Sequence, residues 1–421
     1  MPGARHEWIL PVVFETGGTV SVRLTDVSLV VDRGLEGVVV GATELSRVEG
    51  EAGRLTYRGF DIDDLATEAT FEEVCYLLLF GQLPNSYQLE DLRVRLAANR
   101  ALPPALVDWM RATPKDAPPM AVLRTMISGL ALFAPHGEDG AHPSNPRAAI
   151  HLIAKAPSIV AAWDRIRRGL DPIAPLPHLS TAANFLYMRT GRAPIPEAER
   201  ALDTYLVLLA DHSYNASTFA ARVTASTRAD IYGAAVTAIA TLEGDLHGGA
   251  PGKVMKMILE IETPDNADAY VRALLGRGDK IMGMGHREYK VRDPRARHLE
   301  TMARQLAEAS GTKWYAIARA IEDAANVALQ EAKPGRRIYA NVEFYTAPTL
   351  YALGLKPDEF TCMFACGRMA GWTAHVLEQL RDNRLIRPQA TYTGPAISEW
   401  IPIERRGQLP PKSAPAAAAG S

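Results

Sequence analysis

Apolar and polar residues alternate with two different periods along this chain, and the change comes near residue 71. Between residues 8 and 40, Val alternates with Thr, Ser and Arg, as in TVSVRLTDVSLVV. That spacing predicts strands or an extended arm. From about Phe71 onward the apolar spacing becomes helical. Thr70 followed by Glu73 predicts a capping box ahead of FEEVCYLLLF, whose Phe71, Val74, Cys75 and Leu78 share one helical face. The stripe returns at Leu299, Met302 and Leu306, at Ile317, Ile321, Ala324 and Val327, and at Phe360, Met363, Phe364 and Met369. All of these are most simply core, so the pattern predicts an all-α fold with a short extended or β N-terminal segment. Loops are expected at 103–119 (PPALVDWMRATPKDAPP), 134–147 and 171–177, where turn residues cluster. The final GQLPPKSAPAAAAGS reads as a low-complexity, disordered tail.

Composition narrows the partners more than the fold. A length of 421 residues suggests two or three units at roughly 150 residues each, with room for a large core. Lys+Arg 46 against Asp+Glu 48 argues against a surface built for nucleic acid or an anionic membrane. Cys75, Cys362 and Cys366 are an odd set that fits a reducing compartment and burial as small apolar groups. No nearby Cys or His completes a tetrahedral metal set around them. The WILPVVF run is too short for a signal or transit peptide, and no run approaches the ~18 apolar residues of a membrane span. The expectation is a cytoplasmic protein.

The stretch GDLHGGAPGKV looks like a phosphate-binding loop, but His247 stands where the first glycine is needed and Val254 where the Ser or Thr is needed. Its glycines instead leave space beside His247. His212, in ADHSYNAST, and His286, in MGHREYKVRDPR, also sit among small or turn residues, surroundings that expose an imidazole to a ligand. None of these histidines has the spacing of a zinc motif. Asp293-Pro294-Arg295 predicts a helix start with Asp as N-cap and Pro in the first position. An Arg in that first turn makes an anion site, or a merely solvated cap.

These features belong to a longer series. GLEGVVV, LTYRGFDIDDLA, FEEVCYLLLFGQLP, ANFLYM, ADHSYNASTF, LHGGA, MGHREYKVRDPRA, NVEFYTAP, GRMAGWTAHVLEQ and NRLIRP follow one another from about Gly34 to Pro395. In that order and spacing the chain resembles citrate synthase, in the bacterial citrate/2-methylcitrate synthase branch. The resemblance implies a two-domain helical fold: a large domain at 34–248 and 354–405, a small domain at 249–353, an N-terminal extension at 1–33 and a tail at 406–421. It implies condensation of acetyl-CoA with oxaloacetate and hydrolysis of the citryl-CoA thioester. A 2-methylcitrate synthase using propionyl-CoA, or a catalytically silent paralogue binding CoA or dicarboxylates, are the alternatives.

By the same resemblance, His247 is the donor to the thioester oxygen, His286 polarises the ketone and Glu343 is the base. His212, Arg295, Arg368 and Arg387 match carboxylate ligands, with Asn215 and Asn341 among the substrate contacts. The arginine matching Arg387 comes from the other subunit, which implies a homodimer. Ile281, Met282, Gly283 and Met284 resemble the loop around the CoA adenine, and Lys290 with Arg292 are placed to meet its phosphates. CoA enters as a thioester co-substrate; no permanently bound cofactor and no metal are expected. The chain departs from the family pattern in Glu343, where Asp is usual, in Pro251 and Gly252, and in Met284 and Glu288. One extra methylene moves a carboxylate by ~1.5 Å, and a misplacement near 1 Å can cost ~10²-fold in rate, so a set-back of the backbone is expected.

Overall fold

Helix starts are decided by caps that lie beside each apolar stripe. The structure, a computed structural model, describes residues 9–13, 19–23, 33–35, 37–134, 146–285, 288–332, 338–395 and 400–408. In it Asp61, Thr70, Asn85, Ser180, Asn215, Asp230, Asp293 and Asn341 each accept a backbone N–H at a helix N-terminus. Such a cap stabilises by ~1 kcal/mol. The described residues form 16 α-helices. The first eight are α1 (Ile62–Glu68), α2 (Phe71–Phe80), α3 (Ser86–Asn99), α4 (Pro104–Ala112), α5 (Pro119–Leu130), α6 (Pro146–Arg167), α7 (Thr181–Thr190) and α8 (Pro196–Leu209). There follow α9 (Ala216–Ser226), α10 (Ile231–Glu243), α11 (Ala250–Ile261), α12 (Ala267–Gly276), α13 (Pro294–Ser310), α14 (Trp314–Ala332), α15 (Val342–Ala352) and α16 (Phe360–Arg381). The fold is all-α.

The strands among the described residues are few, two within the expected extended segment at 8–40 and three beyond it. β1 (Ile9–Val13) pairs antiparallel with β2 (Thr19–Arg23), Ile9 opposite Arg23. β3 (Ser46–Glu49), β4 (Arg54–Tyr57) and β5 (Phe60–Asp61) make an antiparallel three-stranded meander. Helix begins earlier than expected, at Ile62, because the Asp61 carboxylate caps α1. Residues 103–119, expected as loop, contain α4: Pro104 occupies its first turn, where a missing N–H costs nothing. The Thr70–Glu73 capping box forms in both directions, and Phe71, Val74, Cys75 and Leu78 are fully buried. Val327 leaves the stripe and is 50% exposed. Residues 135–145, within one expected loop, and 409–421, most of the expected tail, lie outside the described residues. A 3₁₀ turn at Ile403–Gln408 runs into the start of that tail.

Two groups of helices meet at the site. α16 is buried along most of its length and packs on α2, α6, α8, α9 and α10. It approaches α8 so closely that a Cβ at Gly371 would stand 2.3 Å from the Ala210 carbonyl oxygen, and only glycine permits that. In the second group α15 packs on α11 and α13, and α12 on α14. α13 also lies against α8 and α1, where Asp63 accepts hydrogen bonds from Arg297 Nε at 2.9 Å and His298 Nε2 at 2.6 Å.

Candidate active site

One wall is built where α8 ends against α16. The last carbonyls of a helix lack partners, and Leu209 O is taken by Arg368 Nε at 2.7 Å. That bond aims a guanidinium that is 1% exposed and lies 4.8 Å from the Phe364 ring centre. Among the described residues no carboxylate hydrogen-bonds it. Burial pushes the Arg368 pKa down to about 10, against the pull of Asp211. Past α8 the chain turns through His212, whose Nε2 stands 3.2 Å from Tyr289 Oη.

His247 follows α10. The turn closes through Gly248, whose N–H donates to Leu242 O at 2.9 Å and where a Cβ would come 2.4 Å from that oxygen. The crowded glycines therefore let the chain fold back after the helix. His247 Nε2 accepts the Ser217 backbone N–H at 3.3 Å and lies 2.8 Å from Ser217 Oγ. A backbone N–H can only donate, so the proton of the neutral ring is on Nδ1, leaving an N–H donor on the other edge. Burial, helped by the charge of Arg368, holds the His247 pKa down to about 4. The Ser217 hydroxyl also accepts Trp372 Nε1 at 3.1 Å.

The facing wall comes from α13 and α15. Asp293 caps α13 and grips Arg295 from both oxygens, Oδ1 to Nε at 3.0 Å and Oδ2 to Nη2 at 2.8 Å. Arg295 is 3% exposed; burial opposes its charge most strongly, but Asp293 with Tyr289 and Glu343 together outweigh it and raise its pKa. Glu343 lies in the first turn of α15, its backbone N–H bound to Asn341 Oδ1 at 3.1 Å. Among the described residues its carboxylate has no partner side chain. Burial raises its pKa, while Arg295 and then its own backbone amide pull it back.

These groups are close enough to act on one another's charge. Glu343 feels Arg295 and Arg368, Arg368 feels Arg295, and His247 feels Arg368. Two further expected residues act on the backbone. The Asn215 side chain is occupied by His212 O, Ser213 O, Thr218 and Ser217, and it caps α9. Asn341 Nδ2 donates to Gly285 O at 2.8 Å, and its N–H to Gly283 O at 3.0 Å. With the Met284–Ala340 bridge, this ties the segment 283–285 to the residues leading into α15. His286 lies outside the described residues.

The expected CoA residues divide. Ile281 is buried, and Met282 and Met284 are partly buried, beside Gly283. Lys290 has an exposed side chain, and its N–H donates to Gly50 O at 3.1 Å. Arg292 already has a partner, Glu300. Arg387 is exposed on the segment after α16, which is tethered by Ile386 N to Ser226 Oγ at 3.0 Å. Among the described residues it touches none of the others named. Sequence reasoning passed over Ser217, Tyr289, Phe364 and Trp372, which lie inside or beside the quoted motifs but act by holding other side chains. Among the described residues no three His, Cys, Asp or Glu side chains form a metal cluster, and no helix is long and apolar enough to cross a membrane.

Known proteins resemble this chain over most of its length. A family model for the citrate synthase C-terminal domain matches residues 34–389. Citrate synthase 2 of Bacillus subtilis is 45% identical over 89% of this chain and 99% of its own. A 2-methylcitrate synthase of Mycobacterium tuberculosis is 40% identical over 86% of this chain and 91% of its own. The solved structure of citrate synthase from Thermoplasma acidophilum, a ternary complex with carboxymethyl coenzyme A and oxaloacetate, superposes with a TM-score of 0.81 at 30% identity, covering 88% of this chain and 99% of that one. On sequence and on fold, the chain belongs to the citrate synthase family of acyltransferases.

Proposed function

We propose that this enzyme condenses acetyl-CoA with oxaloacetate and hydrolyses the resulting citryl-CoA to citrate and CoA. The observation that carries the reading is that a Glu343 carboxylate with no partner side chain among the described residues, and a neutral His247 with its Nδ1–H available, lie within electrostatic reach of two buried guanidiniums. Glu343 takes a proton from the thioester methyl group. Carbon is a very weak acid, so this works only if the developing enolate oxygen is held by a donor, and His247 Nδ1–H supplies it. The neutral ring can donate at any pH well above about 4. The enolate carbon then attacks the ketone of oxaloacetate, which His286 polarises. Arg295, Arg368 and His212 hold the oxaloacetate carboxylates, because planar guanidinium forks match carboxylate geometry.

Asn215 and Asn341 serve this chemistry by fixing the backbone of the His212 turn and of Glu343. The segment Ile281–Met284 borders the adenine of CoA, and Lys290 and Arg292 lie toward its phosphates, Arg292 only by sharing its bond to Glu300. Arg387 of the partner subunit completes the carboxylate site in a homodimer. Its exposure supports this, as do the exposed Leu385, Tyr392 and Trp400 on the same C-terminal segment. The helices at 249–353 form the small domain that closes on the rest.

The similarity to a 2-methylcitrate synthase supports a second reading, with propionyl-CoA as thioester. One methyl group discriminates by only ~1–3 kcal/mol. Thiol release from acetyl-CoA and from propionyl-CoA, each with oxaloacetate, ranks the two by kcat/KM. Glu343→Gln is expected to lower kcat by about 10³-fold while oxaloacetate still raises the melting temperature. A fully active Glu343→Gln enzyme removes Glu343 as the base.

A further inference from the structure

We propose that His375, acting through Asp211, is a positioning residue that sets the face His212 presents to the keto-dicarboxylate. The inference rests on the reading of His212 as a ligand of oxaloacetate. His375 lies on α16 with no exposed surface. Its Nδ1 receives Arg222 Nη1 at 3.1 Å, and a guanidinium can only donate. The ring proton is therefore on Nε2, which donates to Asp211 Oδ2 at 3.2 Å. Arg222 is itself held by Glu378 Oε2 at 2.6 Å and by His375 O at 3.3 Å. The imidazole thus has one tautomer and one orientation.

Asp211 passes this order to the turn. The same Oδ2 accepts Ser46 Oγ at 2.5 Å and Ser213 N at 3.3 Å, and Ser46 Oγ accepts Ser213 N at 2.8 Å. Ser213 has a φ of 50°, a left-handed conformation that a residue other than glycine keeps only when its surroundings over-determine it. On the other side of His212, Tyr57 Oη donates to Asp211 O at 3.0 Å and accepts Asp211 N at 3.2 Å. The peptides on both sides of His212 are tied, and its ring rests on Tyr289 from the facing wall. A buried carboxylate, imidazole and guanidinium are a costly way to fill space, since apolar groups of equal volume pack as well or better. What they supply here is a fixed direction for one strained turn, and Gly371 lets Asp211 sit there: a Cβ would stand 2.5 Å from Asp211 Oδ1.

The test compares His375→Leu, His375→Gln, Ser46→Ala and His212→Ala by steady-state kinetics and melting temperature. His375→Leu is expected to raise KM for oxaloacetate about tenfold, the effect of one charge-assisted hydrogen bond, with KM for the acyl-CoA unchanged within about twofold. His375→Gln, whose amide nitrogen can stand where Nε2 was, restores most of that loss. Ser46→Ala, which leaves His375 in place, raises the same KM about threefold. An unchanged oxaloacetate KM in folded His375→Leu overturns the proposal, as does a loss that Gln does not rescue. If His375→Leu does not fold, Ser46→Ala decides, and an unchanged KM there counts against the proposal. An unchanged KM in His212→Ala overturns the reading of His212 itself, and so separates the two failures.

Discussion

Arg295 and Arg368 are buried almost equally, 3% and 1% exposed, yet their charges are supported in opposite ways. Arg295 has a resident counter-ion: Asp293 grips two of its nitrogens, and its pKa is raised. Arg368 has a backbone carbonyl and an aromatic face, and its pKa is lowered to about 10. A buried charge without a partner costs several kcal/mol. Arg295 is thus a finished part of the fold that also offers hydrogen bonds, whereas Arg368, among the described residues, has no carboxylate bound to its guanidinium, which fits the proposed role as a ligand of a substrate carboxylate. The wall from α13 is held by its own ion pair; on the proposed function, the wall from α16 is completed by substrate.

Neutral truncation gives the widest separation between the two. Arg368→Leu is expected to weaken oxaloacetate binding by about 10²–10³-fold while leaving the melting temperature of the free enzyme unchanged or higher. Arg295→Leu removes the buried counter-ion gripped by both oxygens of Asp293 and is expected to cost ~3–5 kcal/mol of stability besides its loss of binding. Calorimetric titration and thermal unfolding measure both, and equal destabilisation by the two changes breaks the comparison. Asp293→Asn sharpens it further. Asn is as good an N-cap as Asp, so the start of α13 survives while the ion pair is lost. KM for oxaloacetate should rise about tenfold, with a stability loss of ~3–5 kcal/mol because Arg295 is left as a buried charge without its counter-ion.

The smallest effect is on pH dependence. The folded pKa of Arg368, about 10, lies below the unfolded value, so the unfolded chain binds more protons between about pH 10 and 12.5. The cost of this charge to stability is therefore full below pH 10 and is lifted as pH rises through that window. Bound dicarboxylate favours the protonated form, so its affinity should be flat to about pH 9 and fall above 10. In Arg368→Leu that fall should be missing from the binding isotherms.

Much of the helical order was legible along the chain, because caps and apolar stripes are local: the Thr70 box and the Asp293-Pro294 start need only residues within one turn. α1 and α4 were not, since one is signalled by a single Asp and the other begins in a proline cluster that equally suits a loop. At the site, the residue types came from motifs, but several duties did not. Asn215 and Asn341 sit in the expected motifs, yet their side chains are occupied with backbone groups, up to 56 residues away in the case of Asn341. Arg292 is expected at the CoA phosphates, and what the chain order does not show is that its guanidinium is paired with Glu300.

The order of residues thus determined which groups exist and where helices start, because capping and amphipathic spacing act over a few residues. Only the packing of α16 on α8, and of α13 and α15 opposite them, decided which charges are met and which are left open. Burial and counter-ion distance are set by residues from distant parts of the chain, and these quantities make Arg368 differ from Arg295, hold His247 neutral, and raise the pKa of Glu343.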